Sequence, residues 1–191
     1  MGKVVCLFGD SVTWGSFDPE FGGWAGRLRG FFEVNGGFVY NCGVCGDSSR
    51  DVLKRFVVEA SSRDPDVIVF SIGLNDTFLV DGKVNVSLVE FEENLKELVD
   101  KGKSFTDDIV FLGLFRVDES LTNPVSWDDS ISYKNDLIVE YNEKLKDFCG
   151  KNGLKFVDLM DLIGSSDLKD GVHPCSEGHN KIFLRVKEFL F

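Results

Sequence analysis

The chain contains only two histidines, and one of them stands three residues after an aspartate. His173 follows Asp170 in the sequence DGVHP at positions 170–174. A carboxylate at this spacing can fold back and accept a hydrogen bond from the imidazole Nδ1–H, which leaves Nε2 free to act as a base. A turn-stabilising aspartate beside a surface histidine would have the same sequence. His179 lies within the last predicted helix, where packing or solvation is expected instead of catalysis.

Three further candidate residues come directly after apolar, strand-like runs. Ser11 follows the first run, Gly43 the second and Asn75 the third. Ser11 could supply a nucleophile for the imidazole to activate, and the Gly43 N–H and the Asn75 amide are donors of the kind that stabilise an oxyanion. Each also has an ordinary structural interpretation, as a helix-capping serine, a turn glycine or an Asx-turn asparagine. Ser11 is not in a Gly-x-Ser-x-Gly elbow, because Thr13 occupies the second glycine position.

The elements that must position these residues are predicted from hydrophobic periodicity. Five short apolar runs rich in β-branched residues predict strands at 3–8, 38–41, 67–72, 109–114 and 155–159. Continuous rather than alternating apolar residues are typical of strands buried on both faces of a parallel sheet. Segments of helical period separate the runs, and Ser48 with Asp51, like Ser87 with Glu90, marks a helix start.

The resulting order, a strand followed by a helix five times, predicts one α/β domain over 1–191 with an open, doubly wound parallel sheet. Ligands of such sheets bind beyond the carboxyl ends of the strands. Ser11, Gly43, Asn75 and the pair Asp170 and His173 all follow strand ends. We therefore expect a nucleophile, two oxyanion donors and an oriented base to meet in one crevice.

These segments together resemble the SGNH hydrolases of the GDSL esterase/lipase superfamily. The resemblance is carried by four blocks in order, GDSVTWG at 9–15, NCGVCG at 41–46, GLND at 73–76 and DGVHP at 170–174. It covers nearly the whole chain, and Val12 stands where many members have Leu or Ile. The resemblance implies a flavodoxin-like three-layer α/β/α sandwich with a five-stranded parallel sheet in the order 2-1-3-4-5.

The resemblance also implies the site residues and the reaction. Ser11 would be the nucleophile, His173 the base and Asp170 the residue that orients it. The oxyanion hole would comprise the Ser11 N–H, the Gly43 N–H and the Asn75 amide. The implied reaction is hydrolysis of a small-molecule carboxylic ester through an acyl-enzyme, with no cofactor and no metal.

The sequence is compatible with several kinds of ester substrate. A short acyl ester, an acetylated sugar and a lysolipid all remain open. Segment 115–135 could form a lid or a specificity wall. Six aromatic residues in or beside the strand-exit loops could line a pocket or belong to the core: Trp14, Phe17, Phe21, Trp24, Phe78 and Trp127.

Two other classes of function compete with an esterase. Cys42 and Cys45 form a C-x-x-C pair between a strand and a helix, the placement found in thioredoxin-like redox proteins, although a zinc site would need two more ligands. A flavodoxin-like module could instead bind a nucleotide or accept a phosphoryl group on Asp10. The chain has no Gly-x-Gly-x-x-Gly and no Gly-Lys-Ser/Thr loop, so a phosphate cradle has little support.

The composition indicates which classes of binding partner and which cellular location to expect. The 191 residues carry 21 Lys and Arg against 32 Asp and Glu, a net charge of −11, and the basic residues are scattered, which disfavours a nucleic-acid partner. No apolar run approaches the roughly 18 to 20 residues that cross a bilayer, so membrane insertion is not expected. Five cysteines without an export signal favour reduced thiols and a cytoplasmic location. The oligomeric state has no signature in the sequence.

Overall fold

The computed structural model describes residues 2–190, and its strands and helices alternate along most of the chain. In order these are β1 (Val4–Gly9), α1 (Ser11–Trp14), α2 (Gly23–Val34), β2 (Phe38–Gly43), α3 (Ser49–Ser61), β3 (Val67–Ser71), α4 (Leu74–Thr77), β4 (Leu79–Val80), β5 (Lys83–Val84), α5 (Leu88–Gly102), β6 (Ile109–Leu112), β7 (Ile131–Ser132), α6 (Asn135–Asn152), β8 (Lys155–Val157) and α7 (Ser176–Leu190).

Five of the strands form one parallel sheet in the order β2-β1-β3-β6-β8. If only these five strands are numbered along the chain, their order in the sheet is 2-1-3-4-5. The predicted fold is therefore confirmed. Helix α2 packs against α7, and α5 packs against α3 and α6, so two groups of helices flank the sheet. The central strands are buried because both of their faces are covered, and β1 is fully buried from Val5 to Phe8. None of the helices within residues 2–190 has the length and apolar content that crossing a bilayer requires.

Strand β2 departs from the expectation that every strand is buried on both faces. Phe38 and Tyr40 are 50% and 42% exposed, whereas Val39 and Cys42 are buried. The side chains of a strand point alternately to the two faces of the sheet, and at this edge strand only one of the two faces is well covered. Strand β2 is therefore buried on one face only, although its apolar run resembles those of the strands that are buried on both faces.

A second, antiparallel sheet lies in the connections that follow β3 and β6. Its order is β5-β4-β7, with Leu79 paired to both Val84 and Ser132. Strands of two residues are too short to show a period in the sequence. The small sheet joins the chain after α4 to segment 115–135.

Two predicted helix starts are confirmed by their hydrogen bonds. At α3, Ser48 and Asp51 form a capping box, in which the Ser48 N–H donates to Asp51 Oδ2 at 3.2 Å. At α5, Ser87 Oγ accepts from the Glu90 N–H, also at 3.2 Å. These caps satisfy N–H groups that have no partner within the helix.

Candidate active site

The predicted site residues meet at the carboxyl end of the main sheet. Ser11, Asn75, Asp170 and His173 all line one open pocket with a volume of about 520 Å³. Ser11 follows β1, Asn75 follows β3, and the other two lie in the loop between β8 and α7. Residues that are 162 positions apart in the chain thus face the same cavity, as the parallel-sheet argument predicts.

An unbroken line of hydrogen bonds joins the serine, the histidine and the aspartate. Ser11 Oγ lies 2.8 Å from His173 Nε2, and His173 Nδ1 lies 2.8 Å from Asp170 Oδ2. Because a carboxylate only accepts hydrogen bonds, Nδ1 carries the proton and Nε2 is free to accept the Ser11 O–H. The other Asp170 oxygen, Oδ1, accepts the N–H groups of His173 and Val172 at 2.8 and 3.0 Å. The aspartate is therefore anchored to the backbone that carries the imidazole.

The electrostatics of Asp170 suit a group that stays ionised. Burial acts to raise its pKa, but hydrogen bonds from the ring and backbone of His173 outweigh that effect and lower the pKa below its usual value. A permanent negative charge beside Nδ1 stabilises a proton on Nε2 when the imidazole takes one up. The pair can therefore act as a general base and then as a general acid.

Ser11 is positioned by an abrupt change from strand to helix. Strand β1 ends at Gly9, Asp10 caps helix α1 by accepting the Val12 N–H at 2.9 Å, and Ser11 is the first helical residue. A Cβ on Gly9 would lie 2.5 Å from the backbone oxygen of Ser71, so only glycine fits at this bend. The Ser11 N–H has no hydrogen-bond acceptor among residues 2–190.

The side-chain amide of Asn75 is buried at the edge of the pocket and held on two sides. Its Nδ2 donates to the backbone oxygen of Asp47 at 3.1 Å, and its Oδ1 accepts the hydroxyl of Tyr133 at 2.9 Å. The backbone oxygen of Asn75 accepts the Asn85 side-chain amide at 2.9 Å. The second Nδ2 hydrogen has no acceptor in the described part of the chain, so it is available to a bound group.

Gly43 does not have the free N–H that sequence analysis expected. Its N–H donates to Asn41 Oδ1 at 2.9 Å, and Gly43 is not one of the residues that line the pocket within 2–190. A Cβ at this position would lie 2.4 Å from the Trp14 backbone nitrogen. Gly43 is thus a close-packing residue, which lets β2 end against the helix that carries Ser11.

Gly46 has the properties that were assigned to Gly43. It lines the pocket with Ser11 and Asn75, and its N–H has no acceptor among the residues that the structure describes. Its φ of +86° lies in the left-handed region that favours glycine. Both glycines belong to the block at 41–46. They differ in that Gly46, directly before Asp47, has a positive φ, whereas Gly43 does not.

His179 is a structural residue, buried in the core. Its Nδ1 accepts the Trp24 N–H at 3.3 Å, and its Nε2–H donates to the Ser16 backbone oxygen at 2.9 Å. Burial lowers its pKa, which favours the neutral ring that this pair of bonds needs. The ring joins α7 to the loop that follows α1, so of the two expectations for His179, packing and solvation, the structure shows packing.

The cysteines give no support to a thiol redox function. All five thiols are free, Cys42 is buried, and Cys45 is exposed in the pocket. Burial raises the pKa of Cys42 to about 12, whereas reactive thiols have a lowered pKa. Within residues 2–190, no group of three or more His, Cys, Asp and Glu side chains is placed to hold a metal ion.

Only some of the six predicted aromatic residues line the pocket. Phe17, Phe78 and Trp127 do so, whereas Trp24 is fully buried in the core, and Trp14 and Phe21 are exposed elsewhere. The rings of Phe17 and Trp127 lie 5.5 and 5.6 Å from the His173 ring, centroid to centroid. They are 51% and 49% exposed, and Phe17 has a φ of +65°, which is uncommon for a residue other than glycine. Such strain is typical of functional sites.

Comparison with known proteins agrees with this fold. An α/β sheet with a serine and a hydrogen-bonded histidine at its carboxyl end is the arrangement of a serine hydrolase. The sequence model of the GDSL-like Lipase/Acylhydrolase family matches residues 7–181, and the chain belongs to this family of serine hydrolases. The expected SGNH membership is thereby confirmed.

Several relatives bear esterase names. The chain is 30% identical to a multidomain esterase of Ruminococcus flavefaciens over 174 residues, which cover 84% of the chain but 18% of that larger protein. It is 24% identical over 213 residues to an acetylxylan esterase of Geobacillus stearothermophilus, with 96% and 93% of the two chains covered. Among solved structures, the lipase/acylhydrolase of Enterococcus faecalis superposes with a TM-score of 0.80 at 22% identity, covering 97% of this chain and 94% of the other.

Proposed function

We propose that the chain is a carboxylesterase in which Ser11 is the nucleophile, His173 the general base and Asp170 the residue that orients the base. The observation that carries the proposal is the line of two 2.8 Å contacts from Ser11 Oγ through the imidazole to the carboxylate. A serine hydroxyl is a weak nucleophile unless an adjacent base takes its proton. Here the base is in contact, and its other nitrogen is held by a carboxylate.

The proposed oxyanion hole comprises the Ser11 N–H, the Gly46 N–H and one Nδ2 hydrogen of Asn75. Support comes from two properties that the three residues share: they line the same pocket, and each retains an N–H without a protein acceptor in the range 2–190. Preorganised donors stabilise the charge that develops on the carbonyl oxygen without having to move during the reaction. Gly46 replaces Gly43 in this set.

The reaction has two acyl-transfer steps. His173 takes the Ser11 proton while Oγ bonds to the ester carbonyl carbon, and the three donors bind the oxygen that becomes negative. The protonated imidazole then gives its proton to the leaving alcohol as the C–O bond breaks, which leaves an acyl-Ser11. Water attacks the acyl carbon as the same imidazole takes its proton. The imidazole then gives that proton to Ser11 Oγ as the bond between the acyl carbon and Oγ breaks, and the acid is released.

We further propose that the substrate is a short acyl ester of a carbohydrate. The exposed rings of Phe17 and Trp127 flank His173, where the leaving alcohol departs, and aromatic rings offer flat, amphipathic surfaces to such a group. The pocket lining within 2–190 contains no Lys or Arg to bind the phosphate of a lysophospholipid. The acetylxylan esterase name of a relative that aligns over nearly its full length is consistent with a neutral, acetylated sugar.

The test is a substrate series with a nucleophile variant. Wild-type protein is assayed on p-nitrophenyl esters of increasing acyl length and on acetylated xylo-oligosaccharides. We expect the acetyl esters to be hydrolysed fastest, and Ser11→Ala to abolish hydrolysis while circular dichroism and thermal unfolding stay as in the wild type. Near-wild-type hydrolysis by the folded variant would refute the role of Ser11. A clear preference for long acyl chains would refute the substrate class alone.

A further inference from the structure

The orientation of the Asn75 amide decides whether it can bind an oxyanion. The two ends of a side-chain amide have nearly the same shape, but one is a donor and the other an acceptor. An oxygen turned toward the pocket would repel the negative charge that a nitrogen would stabilise. The orientation is therefore a functional property, and neighbouring groups must set it.

The Asp47 backbone oxygen selects the orientation with the nitrogen available to the pocket, and the Tyr133 hydroxyl holds the other end of the amide. The Asp47 backbone oxygen can only accept a hydrogen bond, so the amide end 3.1 Å away must be Nδ2. The Tyr133 hydroxyl, 2.9 Å from the other end, donates to Oδ1. A flipped amide would bring Oδ1 against the Asp47 oxygen and lose that hydrogen bond, and the Tyr133 hydroxyl would have to accept where it now donates, with the amide buried.

The Tyr133 hydroxyl is suited to a permanent donor role. Tyr133 is buried, and its burial together with the nearby carboxylates of Asp10 and Asp170 raises the pKa of the phenol above its usual value. The phenol thus stays protonated at alkaline pH. A hydrogen bond to Oδ1 also polarises the amide, which makes its remaining N–H a stronger donor.

The small sheet explains how a residue 58 positions away reaches Asn75. Tyr133 directly follows β7, which pairs with β4, and β4 begins two residues after helix α4, which carries Asn75. The Tyr133 N–H donates to the Thr122 backbone oxygen at 3.0 Å, and the ring packs edge-on against Phe78. The sheet therefore fixes the phenol and the amide relative to each other.

We infer that Tyr133 is a positioning residue of the oxyanion hole, which holds the Asn75 amide with its nitrogen toward the reacting carbonyl. The inference rests on the proposed function. Segment 115–135 then has two roles, since it presents Trp127 to the pocket and also carries Tyr133. The hydroxyl acts through Asn75 and not by touching the substrate.

The first test compares Tyr133→Phe with a matched control, Tyr141→Phe. Tyr141 is also buried, and its hydroxyl donates to the Val86 backbone oxygen at 2.5 Å instead of to the Asn75 amide. We expect Y133F to lower kcat on p-nitrophenyl acetate about ten-fold, a fraction of the loss of a whole oxyanion donor, with KM changed less than about two-fold. Y141F should keep kcat within about two-fold. Equal kcat values for the two variants, with similar thermal unfolding, would overturn the inference.

A double-mutant cycle with Asn75→Ala separates positioning from general structural support. If Tyr133 acts through the amide, Y133F should lower kcat by less than about two-fold in the N75A background. The same ten-fold loss in both backgrounds would overturn the inference. The double variant has no Asn75 Oδ1 left without a donor, so it keeps the test available should Y133F alone unfold. Full activity of Ser11→Ala or of N75A would instead refute the proposed function.

Discussion

Asp10, which lies between the first strand and Ser11, carries a charge that opposes folding. Its side chain is 3% exposed, and burial raises its pKa from 3.8 to about 6, although the Val12 N–H and the charge of His173 act to lower it. Asp76 lies close enough for the two carboxylates to repel each other, and burial raises its pKa to about 6 as well. Above pH 6 the buried Asp10 is ionised in the folded protein, although its ionised form is more stable in the unfolded chain, where water solvates it.

We predict that Asp10→Asn stabilises the protein at pH 8 and not at pH 3.5. Between pH 4 and 6 the folded state binds more protons than the unfolded state, so stability falls as the pH rises through this window. A rise of about two pKa units, at about 1.4 kcal/mol per unit, gives about 2 to 3 kcal/mol. Asparagine removes the charge and keeps an oxygen that can accept the Val12 N–H.

Urea unfolding of both proteins at several pH values measures this effect. The free energy of unfolding of the variant should exceed that of the wild type at pH 8, and the difference should vanish toward pH 3.5. Asp167→Asn is a control of opposite sign, because hydrogen bonds from Lys181 and the Gly164 N–H outweigh burial and lower the pKa of Asp167. It should destabilise at neutral pH, with the loss disappearing in acid. A difference for Asp10→Asn that does not change with pH would refute the reasoning.

Two further predictions concern the pocket. Asn75→Ala should lower kcat about 10² to 10³-fold, the usual loss for one oxyanion donor, and steady-state kinetics on p-nitrophenyl acetate check it; a loss below about three-fold would exclude Asn75 from the hole. Trp127→Ala should raise KM for acetylated xylo-oligosaccharides about ten-fold, or about 1.4 kcal/mol, but barely change KM for p-nitrophenyl acetate. An equal change for both substrates would contradict a role in binding the sugar.

The main sheet could be predicted because its strands carry continuous apolar runs and alternate with amphipathic helices. The same pattern could not show that β2 is an edge strand, since edge and central strands differ in what covers them and not in local propensity. Tyr133 had no signal at all. Its contact with Asn75 depends on pairing between β4 and β7, which are two residues long and have no detectable period.

The catalytic candidates were easier to predict than the oxyanion donors. Ser11, Asp170 and His173 are side chains whose chemistry is visible in their residue types, and they meet because each follows a strand end. A backbone donor has no such marker. Gly43 and Gly46 share one block, and only the folded chain reveals that the Gly43 N–H donates to Asn41 while Gly46 lines the pocket.

The central claim is that His173 activates the hydroxyl of Ser11, and covalent labelling tests it most directly. The protein is treated with a fluorophosphonate, digested and analysed by tandem mass spectrometry, with Ser11→Ala and His173→Ala alongside. We predict one adduct, on Ser11, that forms in step with the loss of esterase activity, is absent from Ser11→Ala and forms far more slowly in His173→Ala. An active protein that loses its activity while Ser11 remains unlabelled would contradict the account.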